Sequence, residues 1–353
     1  MTRFLSEKYS SLTPYTPGEQ PKANEKFVKL NTNESPFPPI PSVVDAASRE
    51  AAKLQLYSAP EPTELYEKFA RTLGVKPTQL IAVNGSDEVL DFAFALFCGK
   101  DRPAVFPDIT YGFYEVFAEA NGVPYKMIPL NDDMTLTPDD YIGAHGTVFL
   151  ANPNAPTGCA LPLCEVERII AGNPDDLVVV DEAYVDFGAE SAVSLIDKYD
   201  NLLVTQTFSK SRSMAGARLG FGIANEKIIA DLAMLKYSRN PYNVNRMTQA
   251  AGCAVLDCRS EIENNCRTIA ENREYLTREL TARGFELTDS KANFVFARHP
   301  KISGEALYLE LKRRGVLVRH FTLERIKDYN RITVGSREQL DALLSKIDEI
   351  PEV

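Results

Sequence analysis

Residues 207–222 read TFSKSRSMAGARLGFG. An apolar run, Leu202–Thr207, leads into this segment, and a second, Leu219–Ala224, leads out of it. Lys210 lies between them among small residues and hydroxyls (Thr207, Ser209, Ser211, Ser213), and Arg218 follows eight residues later. Short, almost uninterrupted apolar runs are the pattern of strands buried on both faces. The same texture extends towards the N-terminus: LIAV at 80–83, Ala104–Phe106, TVFL at 147–150 and LVVV at 177–180. Segments of helical period, such as EVLDFAFALF at 88–97, alternate with these runs. The alternation predicts βα units around a mainly parallel sheet, an α/β fold.

Beyond about residue 245 the pattern changes. Ile262, Cys266, Ile269, Leu276 and Leu280 recur at helical spacing, predicting one long amphipathic helix over Cys253–Arg283, stopped by Gly284. Strands at Asn293–Ala297, Val316–Arg319 and Arg331–Val334, a helix at Gly304–Arg314 and a last helix from about Arg337 complete an α+β unit. The polar, proline-rich residues 1–27 read as an arm, 28–248 as a large domain and 249–353 as a small C-terminal domain.

The 353 residues carry 39 Lys and Arg against 49 Asp and Glu, a net charge of −10, and the pI is near 5.1. Such a surface repels nucleic acid and anionic lipid, so neither is an expected partner. No apolar run reaches the length of a membrane span, and the N-terminus has no apolar signal core, so the expected location is the cytoplasm. The six cysteines form no C-x2-C pair and only three histidines accompany them, so reduced thiols and no metal are expected.

Open α/β sheets hold ligands at the carboxyl ends of their strands, and the polar segments fall there. After Leu80–Val83 come Gly85, Ser86 and Asp87 at a helix start, which suit either an anion or an ordinary N-cap. After the 177–180 run comes Asp181, with Tyr184 three residues on; a buried acid needs a cation or donor, though it could equally cap the next segment. Lys210, alone, could be a solvated surface group; partly desolvated, it could form a Schiff base. Arg218 and the neighbouring hydroxyls suit a phosphate. Together these pieces match the needs of pyridoxal 5′-phosphate: a phosphate grip, a partner for the pyridinium nitrogen and a Schiff-base lysine. No G-x-G-x-x-G follows a strand and no G-x4-G-K-[ST] occurs, which weighs against nicotinamide and ATP.

The segments LTPYTPG, LNTNESPFPP, NGSDEVL, NPNAPTG, VVDEAYVDF, TFSKSRSMAGARLG, PYNVN and NRITVGS carry a resemblance over nearly the whole chain, from about Tyr15 onward. The chain resembles the fold-type-I pyridoxal-phosphate aminotransferases, and within them the histidinol-phosphate branch. The resemblance implies a large domain with a mainly parallel seven-stranded sheet, a smaller α+β domain and a homodimer with shared active sites. It implies Lys210 as the Schiff-base residue, Asp181 at the ring nitrogen and Tyr184 at the ring hydroxyl. Gly85, Ser86, Asp87, Thr207, Ser209 and Arg218 would hold the cofactor phosphate, with Tyr111 stacked on the ring. Tyr57 would reach the cofactor of the partner subunit. Arg331, Arg319, Tyr15 and Asn33 would face the substrate. Two positions depart from the pattern: Ala155 stands where relatives carry a ring-bonding asparagine, so Asn154 could swing in or belong to a plain turn, and Ser58 replaces a proline after Tyr57.

The implied reaction exchanges amine and carbonyl between histidinol phosphate with 2-oxoglutarate and imidazole acetol phosphate with glutamate, in histidine biosynthesis. An aromatic amino-acid aminotransferase or a threonine-phosphate decarboxylase would use the same scaffold. A catalytically silent cofactor-binding protein is the reading from outside enzymology.

Overall fold

A computed structural model describes residues 2–10, 12–22 and 25–353; residues 1, 11, 23 and 24 of the expected arm lie outside the described residues. In chain order the elements to the middle of the sheet are β1 (Val28–Lys29), α1 (Pro41–Ala51), α2 (Thr63–Leu73), β2 (Leu80–Val83), α3 (Ser86–Phe97), β3 (Ala104–Pro107), α4 (Phe113–Asn121), β4 (Tyr125–Ile128) and β5 (Thr147–Ala151). There follow α5 (Leu163–Ala171), β6 (Val178–Asp181), β7 (Leu202–Thr207), β8 (Gly220–Ala224), α6 (Glu226–Arg239), α7 (Arg246–Leu256) and α8 (Arg259–Ala282). The chain ends with β9 (Glu286–Leu287), β10 (Phe294–Arg298), α9 (Gly304–Arg313), β11 (Val316–Leu317), β12 (Arg319–His320), β13 (Tyr329–Thr333) and α10 (Arg337–Asp348).

The central sheet has seven strands in the order β2-β8-β7-β6-β5-β3-β4. Its strand pairs are parallel except those of β8, which runs antiparallel to both β2 and β7. All residues of β2, β3, β6, β7 and β8 are buried, the polar ends of β6 (Asp181) and β7 (Thr205–Thr207) included. Each fully buried Val, Leu or Ile there contributes roughly 1.5–3 kcal/mol. Separate apolar cores lie on the two sides of this sheet, and a third lies in the C-terminal part around β10, β13, α8, α9 and α10.

The reading of one helix over Cys253–Arg283 is corrected: two helices meet at Asp257–Cys258. Spacing alone missed the break because the two halves bury different faces. Ala251 and Val255 of α7 belong to the core of the large sheet, whereas Ile269, Leu276 and Leu280 of α8 belong to the C-terminal core. One straight rod could not serve both. The expected strand Val316–Arg319 also divides. Val316 and Leu317 pair in parallel with Val28 and Lys29, while Arg319 and His320 pair antiparallel with Arg331 and Asn330. That first pairing carries Leu30 into the C-terminal core. Residue 248 falls within α7, which packs on α1 and α2. Strand β4 escaped the sequence reading because its inner residues Lys126 and Met127 are exposed at the sheet edge.

Among the described residues no helix is long and apolar enough to cross a membrane.

Candidate active site

The loops at one edge of the central sheet enclose a cavity of about 260 Å³, lined by Tyr15, Asn33, Ser86, Asp87, Tyr111, Asp181, Tyr184, Thr207, Ser209, Lys210, Arg218, Arg319 and Arg331 among others. Residues from sequence positions 15 to 331 thus converge on one space. Arg218 arrives by a route that strand-end reasoning did not give. It stands before the amino end of β8, and because β8 is antiparallel, its first residue Gly220 lies level with the carboxyl ends Val83 of β2 and Thr207 of β7.

An anion cradle forms where β2 enters α3. Gly85 is the N-cap of α3, with φ +80°, a left-handed conformation that favours glycine. A Cβ there would fall 2.6 Å from Arg218 Nη2, the movable end of that side chain, so it is the positive φ that calls for glycine. Gly220 is equally constrained: its Cβ would fall 2.3 Å from the Ser86 amide nitrogen. Helix N-termini offer N–H groups without intrahelical partners, and the helix dipole favours negative charge there. Arg218 Nη2 donates to Asp87 Oδ2 at 2.9 Å, and the Tyr111 hydroxyl donates to Asp87 Oδ1 at 2.8 Å. Thr207 Oγ1 donates to Ser209 Oγ at 2.9 Å, bringing two hydroxyls to the same wall.

Asp181 ends β6 and is buried. Its Oδ1 accepts from Thr205 Oγ1 and from the Ala183 amide, each at 3.2 Å, and its Oδ2 accepts from the Tyr114 hydroxyl at 3.2 Å. Burial above all, with the nearby charge of Asp87, pushes its pKa up to about 6, against the pull of these three donors. Tyr184 follows in the turn after β6, and its hydroxyl accepts from Asn33 Nδ2 at 2.9 Å. Its ring meets Phe294 edge-on, centroids 5.1 Å apart.

Lys210 Nζ donates to the Thr32 carbonyl at 3.2 Å and lies 5.7 Å from the centre of the Tyr184 ring. Thr32 Oγ1, beside it, is a buried polar atom without a hydrogen-bond partner. The lysine therefore sits between the β1 segment and the β6 turn rather than in open solvent.

Two arginines stand at the outer wall. Arg331 on β13 lies with its guanidinium 5.3 Å from the Phe294 ring centre and 5.7 Å from that of Phe321. Its Nη2 donates to the Asn31 carbonyl at 3.3 Å, whereas its buried Nε has no partner. Arg319 donates to the Thr16 and Pro17 carbonyls at 2.9 and 3.2 Å and so clips the arm down. Tyr15 of the arm stacks on Phe113, centroids 4.2 Å apart. Beyond these groups the cavity continues into an outer chamber of about 600 Å³ that shares Tyr15, Tyr111, Ala155, Arg319 and Arg331.

Two of the expected side chains do not line this chain's cavity. Tyr57 is 80% exposed and stacks on Tyr242, centroids 4.6 Å apart, away from this chain's cavity. Asn154 is buried behind the wall, bonded to Thr110 Oγ1, the Ile109 carbonyl and Thr157 Oγ1, and Ala155 is the residue that lines the cavity. Conversely, Thr32, Thr205 and Tyr114 were not singled out in the sequence. A signal for Thr205 existed: it pairs with Asp181 across β6 and β7.

A buried acid at the end of one parallel strand and a lysine in the loop after the next, lining one cavity with an anion cradle on a sheet of this order, are the architecture of the fold-type-I transferases. The sequence profile of the family described as aminotransferase class I and II matches residues 25–347, and the chain belongs to that family. It is 46% identical over 355 residues to histidinol-phosphate aminotransferase 2 of Dechloromonas aromatica, covering 99% of both chains. It is 48% identical over 351 residues to histidinol-phosphate aminotransferase 1 of Bradyrhizobium diazoefficiens, covering 99% of this chain and 100% of that one. The crystal structure of histidinol-phosphate aminotransferase from Sinorhizobium meliloti in complex with pyridoxal-5′-phosphate superposes with a TM-score of 0.90 at 25% identity, over 99% of this chain and 98% of that one.

Proposed function

We propose that the chain is a pyridoxal-phosphate-dependent aminotransferase that interconverts histidinol phosphate and 2-oxoglutarate with imidazole acetol phosphate and glutamate, a step of histidine biosynthesis. The observation that carries this is that Lys210, three residues beyond the end of β7, and the buried Asp181, at the end of the adjoining β6, line one cavity. The residues present fit the cofactor. The cradle leaves no room for a Cβ at Gly220, which would meet the Gly85–Ser86 backbone, and the amides of Gly85, Ser86 and Asp87, the hydroxyls of Thr207 and Ser209 and the guanidinium of Arg218 are the donors a phosphate requires.

In this reading Lys210 would be the covalent anchor, Asp181 would meet the ring nitrogen, Tyr184, whose hydroxyl accepts from Asn33, would meet the ring hydroxyl, and Tyr111 would cover one ring face. Bound in this way, pyridoxal phosphate supplies an aldehyde that exchanges with amines and a ring that accepts electrons. Lys210 Nζ, as a free amine, would take the α-proton of the substrate. Asp181, as a carboxylate, keeps a proton on the ring nitrogen opposite it. Arg331 and Arg319 take the anionic end of either substrate. A guanidinium fork matches a phosphate and a carboxylate alike, and the unpartnered Arg331 Nε is a donor still to be used. Asn33 and Tyr15 bound the same space.

The same reading makes the enzyme a cytoplasmic homodimer with an arm, a cofactor domain and a small domain that begins at α8 rather than at residue 249, because Ala251 and Val255 of α7 lie in the core of the large sheet, and with the exposed Tyr57 turned towards the partner's cofactor. Its partners are small amines and 2-oxo acids. The decisive assay compares histidinol phosphate with phenylalanine and tyrosine, each with 2-oxoglutarate. A clear preference for histidinol phosphate is expected; comparable rates on all three would make it a broad aromatic aminotransferase. Carbon dioxide released from threonine phosphate without an oxo acid would assign a decarboxylase instead.

A further inference from the structure

The ring of Tyr114 is wholly buried, 0% exposed, in an aromatic box formed by Phe94, Phe106 and Phe149, with centroids 5.7–6.2 Å away. Phenylalanine would fill that box as well, and without a polar atom to satisfy. A buried hydroxyl is retained at a desolvation cost unless it has a partner. The partner here is Asp181 Oδ2, at 3.2 Å. The other oxygen of the same carboxylate is held by Thr205 and the Ala183 amide, so the acid is fixed from two sides. Tyr114 itself does not line the cavity.

We propose that Tyr114 is a positioning residue that acts through Asp181, holding the carboxylate in the orientation and charge state with which it meets the protonated ring nitrogen of the cofactor. This rests on the reading of Asp181 given above. The same donor pair, Tyr114 and Thr205, stands on two different elements, α4 and β7, so the acid is pinned between a helix and the sheet. That arrangement fixes it before any ligand enters.

The test is a double-mutant cycle on the full chain, with the dissociation constant of pyridoxal phosphate measured by fluorescence in the wild type, Tyr114→Phe, Asp181→Asn and the double variant. Removing one hydrogen bond to a charged group predicts cofactor binding weaker by roughly tenfold in Tyr114→Phe, with the KM for histidinol phosphate unchanged. In the Asp181→Asn background the same substitution is expected to add less than about twofold, because coupled residues are not additive. Tyr114→Phe acting in full on both backgrounds overturns the proposal. So does an unchanged dissociation constant, or a Tyr114→Phe chain that does not fold, which would make the hydroxyl structural. If Asp181→Asn alone leaves cofactor binding intact, the assignment of Asp181 falls first and this inference with it; the two failures are thus told apart.

Discussion

Asn33 Nδ2 donates to the Tyr184 hydroxyl at 2.9 Å, joining the segment after β1 to the turn after β6. Asn33 is itself bound to the C-terminal part. Its amide donates to Thr333 Oγ1 at 2.9 Å, its Oδ1 accepts from the same hydroxyl at 3.1 Å, and its carbonyl accepts from Asn293 Nδ2 at 3.0 Å. It holds φ +55°, where asparagine is among the better-tolerated side chains. Asn33→Ala therefore leaves buried partners unpaired in a strained conformation, and a loss of roughly 2–3 kcal/mol is expected in urea unfolding. Asn33→Gly, free of the strain, is expected to lose less by about 1 kcal/mol. Equal losses would show that the backbone conformation contributes nothing.

Glu182, next to Asp181, is buried and accepts from Ser191 Oγ at 2.6 Å, Gln206 Nε2 at 2.8 Å and the Ala192 amide at 2.6 Å. Burial nevertheless pushes its pKa up to about 7 from 4.5. A raised carboxyl pKa means that the folded chain binds the proton more tightly than the unfolded one. The group's contribution is full below pH 4.5 and is lost as pH rises towards 7, a loss of about 3 kcal/mol at 1.36 kcal/mol per unit. Glu182→Gln cannot titrate, and Gln206 Oε1, which has no partner, can turn to accept from the new amide. The cofactor-free variant is expected to lose less stability than the wild type between pH 4.5 and 7.5. Parallel curves for the two proteins would sink this account.

The large sheet was legible because its strands are buried on both faces, so that runs such as Val178–Val180 and Leu202–Thr207 announce themselves without a partner in view. Lys210, Asp181, Ser86 and Arg218 were legible because each follows or precedes such a run. The break at Asp257–Cys258 was not, since helical spacing records that a face is apolar and not which core receives it. Nor was the return of Val28–Lys29 to Val316–Leu317, a pairing across 288 positions of chain, because a two-residue strand has no periodicity. Tyr114 was hidden for another reason: within DITYGFY two tyrosines look alike, and only packing shows that Tyr111 lines the cavity while Tyr114 lies behind it.

Arg218 adopts φ +56°, an unusual conformation for a side chain of its size, and reaches Asp87 across the cradle. In the proposed function it grips a phosphate with a planar fork. Arg218→Lys keeps the charge and loses the fork, so a weakening of cofactor binding by about tenfold or more is expected, with the unfolding midpoint of the cofactor-free chain little changed. The measurement is the dissociation constant of pyridoxal phosphate by fluorescence. A lysine variant that binds as tightly as the wild type would remove Arg218 from the grip.

Among the described residues Lys210 makes a single hydrogen bond, to the Thr32 carbonyl at 3.2 Å. Its removal should therefore lower stability by only about 1 kcal/mol, while abolishing both turnover and the absorbance of covalently bound cofactor. Lys210→Ala read by thermal unfolding and by visible spectroscopy separates the two effects. A spectrum that survives the substitution would point to another amine as the anchor.

Arg331 and Arg319 divide the outer wall unequally, and their variants should differ accordingly. Arg331 has its guanidinium near two rings, Phe294 and Phe321, and keeps an unpartnered donor at Nε. Arg319 already uses two of its nitrogens on the arm carbonyls of Thr16 and Pro17. Arg331→Lys removes the fork at a site set up to meet an anion, so kcat/KM should fall by about tenfold or more for both histidinol phosphate and 2-oxoglutarate, which is about 1.4 kcal/mol or more of transition-state stabilisation. Arg319→Ala should also free the arm that carries Tyr15, so limited proteolysis near residues 12–22 should quicken in that variant and not in Arg331→Lys. Unchanged kcat/KM in Arg331→Lys for both substrates would move the anion site elsewhere in the outer chamber, and unaltered cleavage in Arg319→Ala would show that the stack of Tyr15 on Phe113 and the bonds of Glu19 to Lys312, Tyr308 and Asn31 suffice to hold the arm.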